Sequence, residues 1–284
     1  MKQRIITSVA IVIGMLLLGV FSAYIVYPIA LAAMAVIAVF EMLRVMGAHK
    51  NYVLAIPAYI FAPAFPIIAY FVNGDKLVYF LLALAACIFV YMLWLMGVGV
   101  FSRGSIPFSR ISEVFVAVAY VSISVSSLSL IRYLNDKFGL LMTVLAFLIP
   151  WMSDVFAYIC GSLFGKHKLI PEVSPKKTVE GAIGGVIFSA FFCLLYGFLA
   201  DILFADVLGM RVNYLILFVF GAVLSVISQL GDLVASLIKR EYGAKDYGNI
   251  FPGHGGIMDR FDSVLAVSTI LMILCIICPP FTAA

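Results

Sequence analysis

Two aspartates lie in stretches that are otherwise apolar enough to be membrane helices. Asp154 sits in Pro-Trp-Met-Ser-Asp-Val-Phe and Asp232 in Ser-Gln-Leu-Gly-Asp-Leu-Val. An ionised carboxylate near a bilayer centre costs about 2.5–3.5 kcal/mol even on lenient insertion scales. A structural hydrogen bond or a snorkelling position could offset that cost. A functional carboxylate facing a wet interior fits better, because both residues lie near helix ends that lead into charged loops. The loop after Asp232 is the more informative. Between Ser236 and Asp262 it carries Lys239, Arg240, Lys245, Asp246, His254, Asp259 and Arg260, interleaved with five glycines. Glycine lets a backbone approach a ligand closely, and successive amides in such turns form anion-binding concavities. A helix starting near Asp259 adds its positive dipole end. Lysine and arginine bind phosphate oxygens. The hard oxygens of Asp232 and Asp259 suit Mg2+, which takes one or two protein carboxylates and completes its shell with water and substrate phosphates. These are the parts of a metal–polyphosphate site. A soluble phosphate loop of the G-x-x-x-x-G-K-[ST] type is absent from the sequence. A basic loop that merely touches anionic lipid heads accounts equally well for Lys166 and Lys168, but it needs no aspartate, histidine or glycine doublet.

The elements that position these residues are read from composition. Of 284 residues, 65% are hydrophobic and 11% charged, and the mean hydropathy is +1.18. A soluble domain is about half apolar and a quarter charged, so the solvent for most of this chain is lipid. A span of the hydrocarbon core takes about 20 mostly apolar residues. On that rule the sequence predicts an all-α polytopic protein with about nine transmembrane helices, at 5–25, 28–47, 52–73, 77–98, 112–132, 138–163, 181–201, 213–238 and 263–284. The uncharged run from Ile5 to Phe40 is too long for a signal peptide and reads as two helices joined near Tyr27-Pro28. Pro57, Pro63 and Pro66 are expected to bend the third span, and Pro150 lies in the sixth. With the N-terminus cytoplasmic and the sides alternating, fourteen of the 18 Lys and Arg residues fall inside, leaving Lys76, Arg132, Lys137 and Arg211 outside. That bias follows the retention of basic residues in the cytoplasm, and an eight- or ten-span arrangement scrambles it. The five cysteines lie in apolar runs. Cys275-x-x-Cys278 lacks the second pair of a zinc site and reads as buried apolar packing. Residues 1–140 are expected to be scaffold helices, serving lipid access or dimerisation. Residues 141–284 are expected to form the catalytic region, with cytoplasmic loops 164–180 and 239–262.

The segment 236–262 resembles the signature of phosphatidate cytidylyltransferases, the CDP-diglyceride synthetases. It carries S-x-x-K-R-x4-K-D-x-[GSA]-x2-F-P-G-H-G-G-x-x-D-R-x-D at every polar position. The flanks agree: Ser153-Asp154 with Tyr158 and Gly161, the Phe164-Gly165-Lys166 turn, and Ser174-Pro175-Lys176-Lys177-Thr178-x-Glu180-Gly181. The resemblance is close over about 145–265; the first half is similar only in being a run of membrane helices.

That resemblance implies a Mg2+-dependent transfer of CMP from CTP to phosphatidate, giving CDP-diacylglycerol and pyrophosphate for phospholipid synthesis. It implies metal ligation by Asp259 and Asp232, with Ser236, one turn after Asp232, toward a second cation, K+ or Mg2+. Lys239, Arg240, Lys245 and Arg260 are expected to clamp CTP phosphates. The turn of His254, Gly255 and Gly256 is expected to bring backbone amides to them, with His254 assisting the leaving group. Asp246 and Asp262 are expected to orient these bases or to bind metal at second hand. Asp154, Ser174, Lys176 and Lys177 are expected to complete the site, the lysines drawing the lipid phosphate. The implied setting is a bacterial inner membrane with the site on its cytoplasmic side. Its expected partners are CTP, phosphatidate and membrane lipids, without nucleic acid. Gly181, Gly184 and Gly185 allow close helix contact, compatible with the expected homodimer and equally with packing inside one chain. Intramembrane aspartates also suit an ion-coupled transporter, but no internal repeat relates the two halves. The D-G-x2-A-R block of CDP-alcohol phosphotransferases does not occur, and the complete signature disfavours a CTP-dependent polyprenol or phytol kinase.

Overall fold

The computed structural model describes residues 13–72, 74–251, 253 and 255–284. Among these, eight helices are long and apolar enough to cross a membrane. They are α2 Val26–Val45, α3 Tyr52–Ala69, α4 Leu77–Phe101, α5 Phe108–Tyr133, α6 Gly139–Phe164, α7 Val179–Leu208, α8 Tyr214–Glu241 and α9 Met258–Ile277. A shorter apolar helix, α1, covers Ile13–Ala23. The chain is an all-α polytopic membrane protein. Helices α2 to α9 correspond to the second through ninth expected spans. Much of the first, 5–25, lies outside the described residues.

Two boundaries differ from expectation for local reasons. The last helix begins at Met258 and stops at Ile277 rather than running to 284, because Pro279 and Pro280 cannot continue the backbone ladder. The chain then enters a short strand, β4 Phe281–Ala283, antiparallel to β3 Met210–Val212. Helix α7 runs seven residues beyond its expected end and closes at Gly209, whose φ of +59° is the left-handed cap that glycine tolerates. The loop expected at 164–180 contains a hairpin. β1 Lys168–Ile170 pairs with β2 Ser174–Thr178, matching Lys168 with Thr178 and Ile170 with Ser174.

The residues group into two compact units, one running to Leu134 and including Tyr242–Phe261, the other comprising Asn135–Glu241 and Asp262–Ala284. In the first, α2, α3 and α5 pack through small and branched side chains, with Ala35, Ala38, Val39, Ala58, Ala62, Val118 and Val121 fully buried. Small residues let helix backbones approach where lipid supplies no hydrophobic drive. Pro57, Pro63 and Pro66 lie inside α3. Ser129 of α5 donates its hydroxyl to the Pro66 carbonyl at 2.7 Å, tying α5 to the last turn of α3.

The second unit closes around glycines of α7. A Cβ at Gly181 would meet the Ala157 carbonyl at 2.6 Å, one at Gly184 would overlap the Cys160 side chain, and one at Gly185 would meet the Ser153 carbonyl at 2.9 Å. These three glycines therefore serve α6–α7 packing inside the chain, and the homodimer loses them as its support. Ser153 on α6 and Ser225 on α8 share a hydroxyl contact at 2.7 Å, and Gln229 reaches both Ser153 and the Ala182 carbonyl. This buried polar girdle fixes the register of the three helices at the level of Asp154.

Candidate active site

In the second unit the polar residues of α6, α8, α9 and the β1–β2 hairpin converge. Asp232 lies on α8, and Ser236, one turn later, donates to its Oδ1 at 3.4 Å, as side chains four apart on a helix can. The Lys177 ammonium, delivered by β2, stands 2.5 Å from Asp232 Oδ2, each side chain just over one quarter exposed. Asp262 on α9 is 7% exposed; its Oδ1 accepts from the Ser263 amide at 2.7 Å. Asp232, Lys239 and Asp154 all lie within its electrostatic reach. The close approach of α8 and α9 depends on Gly231. A Cβ there would overlap that of Ala266 and stand 3.2 Å from the Asp262 carbonyl. Gly231→Ala is therefore expected to lower both the thermal midpoint of the purified protein and its activity several-fold. Ala266→Gly in the same chain should recover most of the loss, and an unaltered midpoint in the single variant would show that the helices have room to spare.

The hairpin is anchored at the start of α7. Thr178 caps that helix by accepting the Gly181 amide at 3.2 Å, a standard role for a threonine ahead of a first turn. Glu180 accepts the Lys166 amide at 3.1 Å and meets His167 Nδ1 at 2.6 Å. Gly161 and Gly165 close on the Thr178 side chain, where any Cβ would lie 2.8 Å away. The sequence block 174–181 thus works as a rigid corner that delivers Lys177 to Asp232. Lys176, its neighbour on β2, points to the exposed side, and Ser174 is half-buried at the start of that strand. Sequence reasoning assigned Lys177 to a lipid phosphate; here its partner is a carboxylate.

In the first unit the signature loop folds around a different carboxylate. Asp259 Oδ2 accepts the amides of Tyr247 at 2.7 Å, Gly256 at 2.9 Å and Gly248 at 3.4 Å. Phe251 and Gly255 form an antiparallel bridge, closed by the Phe251 amide on the Gly255 carbonyl at 2.9 Å. Gly253 and Gly255, at φ of +78° and +85°, occupy the left-handed region that disfavours other residues. The anion seated in this ring of amides is the protein's own side chain, so the Gly256 N–H turns inward, onto Asp259. Lys245, Asp246 and Arg260 are exposed around it. His254 lies outside the described residues.

The donor set fits a hard divalent ion. Asp232 and the Ser236 hydroxyl offer oxygen ligands, and Asp232 already holds a cationic group against its carboxylate. Among the described residues no three Asp, Glu, His or Cys side chains gather tightly enough to enclose a metal by themselves.

The description "Cytidylyltransferase family" matches residues 2–278. The chain belongs to that family. It is similar to the phosphatidate cytidylyltransferase of Bacillus subtilis (strain 168), with 35% identity over 279 residues, 96% of this chain and 97% of that protein. Proteins of the same name from Staphylococcus haemolyticus (strain JCSC1435) and Staphylococcus aureus (strain COL) are 41% and 44% identical. Those alignments cover 64% and 62% of this chain and 65% and 64% of the relatives. Family membership makes the chain a nucleotidyltransferase.

Proposed function

We propose that this cytidylyltransferase joins CMP from CTP to the phosphate of phosphatidate, giving CDP-diacylglycerol and pyrophosphate. The observation that carries the reading is the polar cluster of Lys177, Asp232, Ser236, Lys239 and Asp262 built at one end of membrane helices, in a chain whose sequence carries the complete family signature. A lipid phosphate oxygen forms a bond to the α-phosphorus of CTP as the bond from that phosphorus to the pyrophosphate oxygen breaks. Because the nucleophile arrives already ionised, no side chain has to be activated covalently. Catalysis is then positioning and electrostatic stabilisation. Mg2+, when bound, neutralises charge on the phosphoryl oxygens and the departing pyrophosphate.

The chain's own residues supply the rest. Asp232 and Asp259 are the carboxylates assigned to the metal, with Ser236 toward a second cation, K+ or Mg2+. Lys239, Arg240, Lys245 and Arg260 bind CTP phosphates, the glycines of the loop let its backbone come close, and His254 serves the leaving group. Asp246 and Asp262 hold these bases in place. Lys177 exchanges its carboxylate partner for a phosphate as substrate enters, and Lys176 draws the lipid headgroup. Asp154 adds negative charge beside the metal-binding cluster. The setting is a bacterial inner membrane, with the site open to CTP from the cytoplasm and to phosphatidate from the bilayer.

The test is pyrophosphate release by purified protein given phosphatidate, CTP and Mg2+. Release dependent on all three, abolished by EDTA and absent with ATP, is the expected result. An untouched nucleotide in the complete mixture overturns the assignment.

A further inference from the structure

The N-terminal helices read as scaffold, yet one of them grips the signature loop. Glu41 lies near the end of α2, in Val-Phe-Glu-Met-Leu, and is 1% exposed. Its Oε1 accepts the Ile257 amide at 3.1 Å and its Oε2 the Met258 amide at 2.8 Å. These are unpaired donors at the start of α9, where a helix leaves its first amides without intrahelical acceptors and its dipole favours an anion. The contact continues onto the glycines of the loop. A Cβ at Gly248 or at Gly256 would overlap the Glu41 carboxylate. One turn further along α2, Arg44 donates from Nη2 to the Tyr247 carbonyl at 2.5 Å. The amides of Tyr247, Gly248 and Gly256 are those that Asp259 collects. Glu41 and Arg44 thus hold, from behind, the backbone that surrounds Asp259.

We infer that Glu41, assisted by Arg44, is a positioning residue for the reaction: its buried carboxylate sets the backbone of Tyr247–Gly248 and Gly256–Met258 without touching substrate. The inference rests on the reading of that loop as a CTP- and metal-binding element. A carboxylate is required because both oxygens must accept. An amide in its place would present an N–H to another N–H on one side. The near-contact of Gly248 and Gly256 explains why the loop carries glycine at these two positions, since any side chain would displace the carboxylate from the amides.

The experiment is Glu41→Gln in full-length protein, measured in two ways. Hydrogen exchange of the peptide spanning Ile257 and Met258 is expected to accelerate at least tenfold, with exchange outside the loop unchanged. Steady-state kinetics are expected to show kcat/KM for CTP falling at least tenfold while KM for phosphatidate stays within twofold. Glu41→Asp, too short to reach both amides, should fall between glutamine and wild type in exchange. Wild-type exchange in the loop, or wild-type CTP kinetics, overturns the inference. If Glu41→Gln does not fold, Arg44→Gln withdraws the guanidinium from the Tyr247 carbonyl and from the Phe40 ring and carries the same test. Altered loop exchange with a CTP-specific loss supports the inference, and normal values for both overturn it. The exchange arm does not depend on the identity of the substrates, so wild-type protein inactive toward CTP and phosphatidate defeats the functional reading while leaving the hold of Glu41 separately measurable.

Discussion

Asp259→Ala is expected to lower CMP transfer to phosphatidate at least a thousandfold, equivalent to about 4 kcal/mol of lost transition-state stabilisation. Two separate jobs end with that side chain. Three loop amides lose their common acceptor; an amide left buried without one costs about 1–3 kcal/mol, enough to collapse the loop's shape. The negative charge assigned to the metal also disappears. Asp259→Asn separates the two, because it keeps an oxygen for the amides but not the charge. Incorporation of labelled CTP into lipid should be as low for asparagine as for alanine, while exchange of the Tyr247–Gly256 amides should stay slow in asparagine alone. Near-normal turnover in Asp259→Asn removes the metal role. Slow exchange in Asp259→Ala removes the structural one.

Asp232→Asn is the second large effect, again about a thousandfold in kcat, with half-saturation by Mg2+ moving to higher concentration. The Lys177–Asp232 pair is partly exposed, and such pairs contribute at most about 1 kcal/mol to stability. Loss of fold is therefore not the route to inactivity. The variant should insert, purify and melt like the wild type. A Mg2+ titration superimposable on that of the wild type shows that Asp232 is a partner for Lys177 and nothing more.

Much of this was legible in the residues themselves. Long uncharged runs marked eight of the spans to within a turn or so at most ends, because lipid imposes helix and length together. Asp154 and Asp232 stood out for the energetic cost of their surroundings, and the signature loop for its mixture of charge and glycine. The pairing of Lys177 with Asp232 was not legible, since nothing in the run Ser174–Thr178 announces a strand whose register decides which of two adjacent lysines turns toward α8. The inward turn of the Gly256 amide was equally hidden. Glycine spacing shows that amides can converge, while which anion they meet is decided by the tertiary fold. Glu41 was missed for another reason. It sits in the same apolar context that drew attention to the two aspartates, but the proximity of Arg44 makes it look like a helix-end ion pair at the surface. Its spacing from a breaker-free apolar stretch was the available signal: an acid amid Val36–Leu43 has no cheap alternative to a buried partner. Pro279 and Pro280, directly after Cys278, mark in the sequence where the last helix ends.

The separation of Glu41 from its acceptor sites along the chain, 216 residues to Ile257, has a consequence for biogenesis. A ribosome releases α2 into the bilayer long before the residues that neutralise its acid exist. Through most of translation this carboxylate therefore lacks the two amides that receive it in the folded chain. The signature loop gains the hold of Glu41 only once α9 has been made, so a polypeptide that stops before Ile257 leaves that acid without its amide donors.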